Sequence, residues 1–168
     1  MAEEIVNRVA NSKLVTIDLE DYYIEGKRCL LDISQWLDEG LVLREKNFRQ
    51  VVDSFDWTVF QNALVALYCS TDAIVPVWAY MLISSKLTGI AAKITLGNLE
   101  DLDRELFINQ ISKLNPSDYT DKNVLIKGCS KKPVPDAAYI FITQKIEPFA
   151  KAIMYGEACS SVPVFKKK

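Results

Sequence analysis

Three cysteines carry the chemistry this chain could perform. Cys69, Cys129 and Cys159 each open a Cys-Ser pair, and Val-Pro follows close behind each, as Val75-Pro76, Val134-Pro135 and Val162-Pro163. A thiolate is both a nucleophile and a soft metal ligand. Three thiolates from separate segments make a partial donor set for zinc, which prefers four ligands, or for an iron–sulfur cluster with one iron left open. The sequence contains no histidine. That excludes imidazole bases, the Ser-His-Asp and Cys-His arrangements and the commonest zinc ligand. A fourth place would fall to a carboxylate, water or a substrate. Asp72, on the loop after Cys69, is the nearest carboxylate, and Glu157 and Asp136 follow. Each of these also reads as a helix cap or a solvated loop charge. The fourth cysteine, Cys29, lies in an apolar run without the Cys-Ser context and reads as a packing residue. None of the spacings has the short C-x-x-C rhythm of common clusters and zinc ribbons.

The elements that must position these thiols show themselves through a repeat. The segments Val75–Gly97 and Val134–Gly156 align end to end without a gap, and nine of the 23 positions are identical. Before each Cys-Ser pair lies a short apolar run, Leu64–Tyr68 and Val124–Gly128, which reads as a buried strand. Proline suits the start of a helix. Beyond Pro76 the apolar residues Ala79, Leu82, Ile83 and Leu87 keep the helical period, as do Ala138, Ile142 and Ile146 beyond Pro135. Second strands follow around Lys93–Leu96 and Lys151–Tyr155. Between the copies, Asn98 is an N-cap and Leu102, Leu106, Ile111 and Leu114 form the apolar stripe of a joining helix.

The fold expected is therefore α/β. It is an open, mainly parallel sheet with helices on both faces, built around a duplicated β-Cys-Ser-α-β unit at 63–97 and 123–156. Residues 1–60 read as an N-terminal elaboration, with strands at Leu14–Ile17 and Cys29–Leu31 and a helix over 44–55. Residues 1–168 read as one domain. Ligands of open α/β sheets bind beyond the carboxyl ends of the strands. Cys69 and Cys129 fall there, and Cys159 follows just after the last expected strand. Both Cys69 and Cys129 precede helices, whose N-termini favour a thiolate.

Composition narrows the partners. A net charge of −2, from 20 basic and 22 acidic residues, gives no field that selects nucleic acid or a membrane. No window approaches the roughly 20 apolar residues of a membrane span, and the start of the chain, Met1-Ala2-Glu3-Glu4-Ile5, is acidic where a secretory signal would be basic. A cytoplasmic location with reduced thiols is the expectation. The Lys166-Lys167-Lys168 tail reads as a solubilising end. No G-x-G-x-x-G or P-loop pattern follows a strand, so no nucleotide cofactor is expected. Asp18-Leu19-Glu20-Asp21 reads as a solvated turn, and Trp57, Trp78 and Tyr80 as core packing.

The stretches Leu67–Pro76, Ile126–Ser130, Tyr155–Ser160 and Val15–Tyr23 resemble an uncharacterised bacterial family, a domain of unknown function. The resemblance runs the length of the chain. Members of that family often lie beside genes for iron–sulfur cluster assembly of the sulfur-mobilisation type, which implies a role near sulfur or iron handling and, as partners, iron–sulfur assembly proteins. Cys69, Cys129 and Cys159 match the family pattern, whereas Cys29 falls where another apolar residue is usual. Three functions stay open. The first is a zinc- or cluster-binding accessory protein. The second is a thiol enzyme or persulfide carrier acting through one low-pKa cysteine with a second to resolve the intermediate. The third is a scaffold that binds only protein partners.

Overall fold

Short apolar runs become central strands, and the strands flanking them come from distant parts of the chain. The computed structural model describes residues 14–128 and 130–168. In chain order its elements are β1 (Leu14–Asp18), β2 (Arg28–Asp32), α1 (Glu45–Ser54), β3 (Leu64–Tyr68), α2 (Val77–Leu87), β4 (Lys93–Leu96), α3 (Leu99–Ser112), β5 (Asn123–Lys127), α4 (Asp136–Ile146), β6 (Ala152–Glu157) and β7 (Ser160–Lys166). Single 3-10 turns follow β1 and β2 and precede β3 and β5. Among the described residues, no helix is long and apolar enough to cross a membrane.

The class is α/β and mainly parallel, as expected, but the strands divide between two sheets where the sequence reading counted one. One sheet has the order β2-β3-β4, and the other has the order β1-β5-β6-β7. All pairs are parallel except β6 with β7. A short apolar run identifies a buried strand without naming its neighbour. Here β5 does not extend the sheet after β4. It pairs with β1, far earlier in the chain, in the register Leu14 with Asn123 through Asp18 with Lys127. The expected elaboration over 1–60 thus supplies one of the two outer strands of each sheet, β1 to one and β2 to the other.

The chain packs as two units. The continuous unit is residues 24–105, and the discontinuous unit joins the residues up to Tyr23 with residues 106–168, the boundary falling inside α3. The continuous unit centres on β3, whose Leu64 to Leu67 are all buried. Val65 and Leu67 meet Phe48 and Val52 of α1 and Ala79, Ile83 and Leu87 of α2 in one core. In the discontinuous unit, Val124 and Ile126 of β5 meet Ala138, Ile142 and Ile146 of α4, with Ile17, Phe107 and Ile153. The triplets 79, 83, 87 and 138, 142, 146 follow the four-residue spacing that lines one helix face. Each fully buried Ile or Leu contributes about 1.5–3 kcal/mol relative to exposure. The start of α3 has a capping box. The Asn98 side chain accepts from the Asp101 N–H at 3.0 Å, and the Asp101 carboxylate accepts from the Asn98 N–H at 2.9 Å.

Local backbone geometry recurs at matched positions of the two aligned segments. Asn62 and Asp121 both adopt φ 56°. The N–H of Asn62 donates to Ile90 at 2.8 Å, and that of Asp121 to Phe149 at 3.0 Å. Ala92 donates to Ala63 at 2.9 Å, and Lys151 to Lys122 at 2.8 Å. The 3-10 turns before β3 and β5 are capped by Asp56 and Asn115, each accepting from the N–H two residues on. Beyond β6 the likeness stops. Cys159-Ser160-Ser161-Val162-Pro163 leads into no helix: Ala158 and Cys159 turn the chain, and β7 runs back along β6, with Glu157 opposite Ser160 and Tyr155 opposite Val162. Pro163 is tolerated because β7 lies at the edge of its sheet.

Candidate functional site

At the carboxyl edge of the discontinuous sheet, three parallel strands end in charge: β1 in Asp18, β5 in Lys127 and β6 in Glu157. Asp18 caps the 3-10 turn after β1 by accepting from the Glu20 N–H at 3.1 Å, and its other oxygen pairs with the Lys127 ammonium at 3.2 Å. The hydrogen bond and charge of Asp18 raise the Lys127 pKa, and the charges of Glu157 and Glu20 add to the effect.

Glu20 secures the next loop. One of its carboxylate oxygens accepts from the Lys131 N–H at 2.8 Å, from the Ser130 hydroxyl at 2.9 Å and from the Ser130 N–H. The Lys131 N–H foremost, with the donors of Ser130, outweighs the opposing effect of desolvation and holds the Glu20 pKa at about 2. Asp18 to Asp21 is therefore more than a solvated turn, because it ties the loop after β5 to the end of β1. The Lys132 ammonium lies 4.8 Å above the Tyr23 ring.

The matching edge of the continuous unit uses one acid for both tasks. Asp32 accepts from the Ser34 N–H at 2.9 Å, capping the turn after β2, and from the Ser70 N–H at 3.1 Å. Burial opposes ionisation of Asp32, yet the hydrogen bonds from Ser70 and Ser34 prevail and lower its pKa. Ser34 and Ser70 share a hydroxyl–hydroxyl hydrogen bond of 3.0 Å.

The proposed ligands fall into both units. Cys69 and Asp72 belong to the continuous unit, and Glu157 and Cys159 to the discontinuous one. Cys69 is half-buried against the core, with its sulfur 3.4 Å from the Thr71 hydroxyl, which itself donates to the Gly40 carbonyl. Asp72 is exposed on the following loop. Cys159 is exposed on the two-residue turn between β6 and β7. Cys129 lies outside the described residues, between Gly128 and Ser130. Eight loop residues separate β3 from α2, so Cys69 follows its strand directly but is not a helix cap; that place belongs to Pro76. Cys29 is half-buried in β2, opposite Val65, and packs on the core. Among the described residues, no three Cys, Asp or Glu stand close enough to hold a metal ion together.

The sequence reading missed Glu20, Asp32 and Lys127 as organisers of these edges. A usable signal was present: Asp18-Leu19 and Asp32-Ile33 each place an acid directly after an apolar strand, where Asp commonly caps a turn.

Two parallel α/β units, each with an acid tying down a Cys-Ser loop at its strand carboxyl ends, define the class of protein. The chain belongs to the family described as protein of unknown function (DUF2480), whose model matches residues 3–167. No curated protein and no solved structure matches it.

Proposed function

We propose that this protein is a metal- or iron–sulfur-cluster-binding accessory protein acting at the carboxyl edge of the discontinuous unit. Its donors there are Cys129, Cys159 and Glu157, and iron–sulfur assembly proteins are its partners in the cytoplasm. The observation that carries the reading is the Glu20 anchor, which binds the residues after Cys129 to the same edge from which Glu157 and Cys159 project. Thiolates and a carboxylate suit zinc, and thiolates suit an iron–sulfur cluster. The partner class rests on the resemblance to the family encoded beside assembly genes. The reading also takes the two β-α-β segments as copies of one unit, which the hydrogen bonds recurring at matched positions support. Cys69 and Asp72 lie in the continuous unit, and Cys69 is tested separately as a donor.

Anaerobic purification followed by metal and sulfide analysis tests the proposal. Zinc, or iron with sulfide, should co-purify with the chain and be lost from Cys129→Ser and Cys159→Ser. A Cys69→Ser variant that keeps its metal confines the donors to the discontinuous unit. A chain without zinc, iron or sulfide, whose stability does not change on chelation, overturns the reading.

A further inference from the structure

A cavity of about 520 Å³ opens on the discontinuous unit along α4, β6 and β7. Its volume falls within the range of small-molecule sites. Ile140 of α4, Met154 and Tyr155 of β6 and Val164 of β7 supply apolar walls. Ile140 is 62% exposed, Val164 54% and Tyr155 47%, so this apolar surface is open to a ligand. Tyr139 and Tyr155 meet edge to face, with ring centroids 5.6 Å apart.

Charge decides what the cavity would accept. Among the described residues Asp136 is its one charged lining residue, and the exposed Asp136 carboxylate has no hydrogen-bond or ion-pair partner there. Tyrosine ring faces also favour a cation. The counterpart groove of the continuous unit supplies a control within the molecule. It is lined by Tyr80, Met81 and Leu96, which the repeat aligns with Tyr139, Ile140 and Tyr155. The residue matching Asp136 there is Val77; among the described residues no charged residue lines that groove, and no strand covers the outer side of β4 as β7 covers β6.

We propose that the cavity of the discontinuous unit binds a small organic cation, an ammonium group carried on an apolar or aromatic body. The ammonium group meets Asp136 and the tyrosine rings, while the body lies against Ile140, Met154 and Val164. This site does not depend on the metal reading.

The test is a methyl NMR titration of the full chain with 2-phenylethylamine, 2-phenylethanol and 3-phenylpropionate. The amine should shift the methyl signals of Ile140, Met154 and Val164 and bind about tenfold more tightly than the alcohol, the usual effect of one charge-assisted hydrogen bond. The carboxylate should cause no shift. Asp136→Asn should bring the amine down to the affinity of the alcohol. Ile140→Trp, a change at an exposed position, should fill the cavity and remove the response of Met154 and Val164 to both the amine and the alcohol. Equal binding of amine and alcohol overturns the proposal, as does a preference that survives Asp136→Asn. Shifts confined to other parts of the chain, or no response to the amine, overturn it as well.

Discussion

The two units solve one local problem with different numbers of acids. In each, a turn follows the first strand and a loop follows the second, and both need backbone N–H groups satisfied. Asp32 does this alone in the continuous unit, accepting from Ser34 and Ser70. In the discontinuous unit Asp18 caps the turn, and Glu20, two residues further on and one methylene longer, reaches Ser130 and Lys131. Dividing the work leaves an Asp18 oxygen for Lys127, so a lysine is held among carboxylates at that edge. Tyr68 occupies the matching place in the other unit. The thiols differ as well. Both loops have eight residues, 69–76 and 128–135, but Cys69 is the first residue of its loop and Cys129 the second of its own. In the alignment that pairs Val75 with Val134, the position matching Cys69 is Gly128.

The largest effects should come from the cores, where the units are most alike. Ile83 and Ile142 occupy matched helix positions and are wholly buried. Ile83→Ala and Ile142→Ala should each cost about 2–5 kcal/mol in denaturant unfolding of the full chain. A cost below about 1 kcal/mol at either site would break the equivalence of α2 and α4.

A smaller effect separates the two loops. A Cβ added at Gly128 would stand 2.9 Å from the Tyr139 hydroxyl, 3.2 Å from the Leu19 Cβ and 3.3 Å from a Val134 methyl. The hydroxyl is the tip of a side chain and can shift, but Leu19 is wholly buried. Gly128→Ala should therefore destabilise the protein by about 1–3 kcal/mol, the usual cost of overpacking. Cys69→Ala, at the matched position, should cost less, because a side chain already has room there. Thermal unfolding of the two variants side by side measures the difference. Equal costs would mean that the two loops leave their strands with the same clearance.

Much of this architecture was legible in the sequence, and the gaps have physical causes. Leu64–Leu67 and Val124–Ile126 could be read as central strands because burial on both faces demands a continuous apolar run. The stripes Ala79-Ile83-Leu87 and Ala138-Ile142-Ile146 fixed α2 and α4. Sheet membership was not legible: pairing of β1 with β5 depends on long-range register, which no local pattern records. β7 was hidden because Val162-Pro163 echoed the earlier Val-Pro pairs. The short apolar run Val162–Phe165, with two β-branched residues and an aromatic, was the competing strand signal. Of the candidate ligands, the reading put Cys69 and Cys159 at one shared sheet edge, and each follows the carboxyl end of a strand, β3 and β6. It could not see that they belong to different units, because that follows from the two-sheet pairing.

The smallest effect tests the divided duty of the acids directly. Glu20 has a folded-state pKa of about 2 against an ordinary 4.5, so the folded state favours its charged form. The stability linked to Glu20 is therefore complete above the ordinary value, and it is lost as pH falls from about 4.5 through about 2. Carboxyl-carbon NMR should show Glu20 titrating near the lower value. In Glu20→Gln, stability should lose the part of its acid dependence that lies in this window, because an amide accepts hydrogen bonds without titrating. Asp32→Asn should flatten the acid limb in the same direction, since the Asp32 pKa is also lowered, and should loosen cap and loop together because one side chain serves both. Glu20→Gln should leave the Asp18 cap and the Asp18–Lys127 pair in place. A Glu20 that titrates at its ordinary value, or a Glu20→Gln variant with an unchanged acid limb, would show that the loop after β5 is held by something other than this carboxylate.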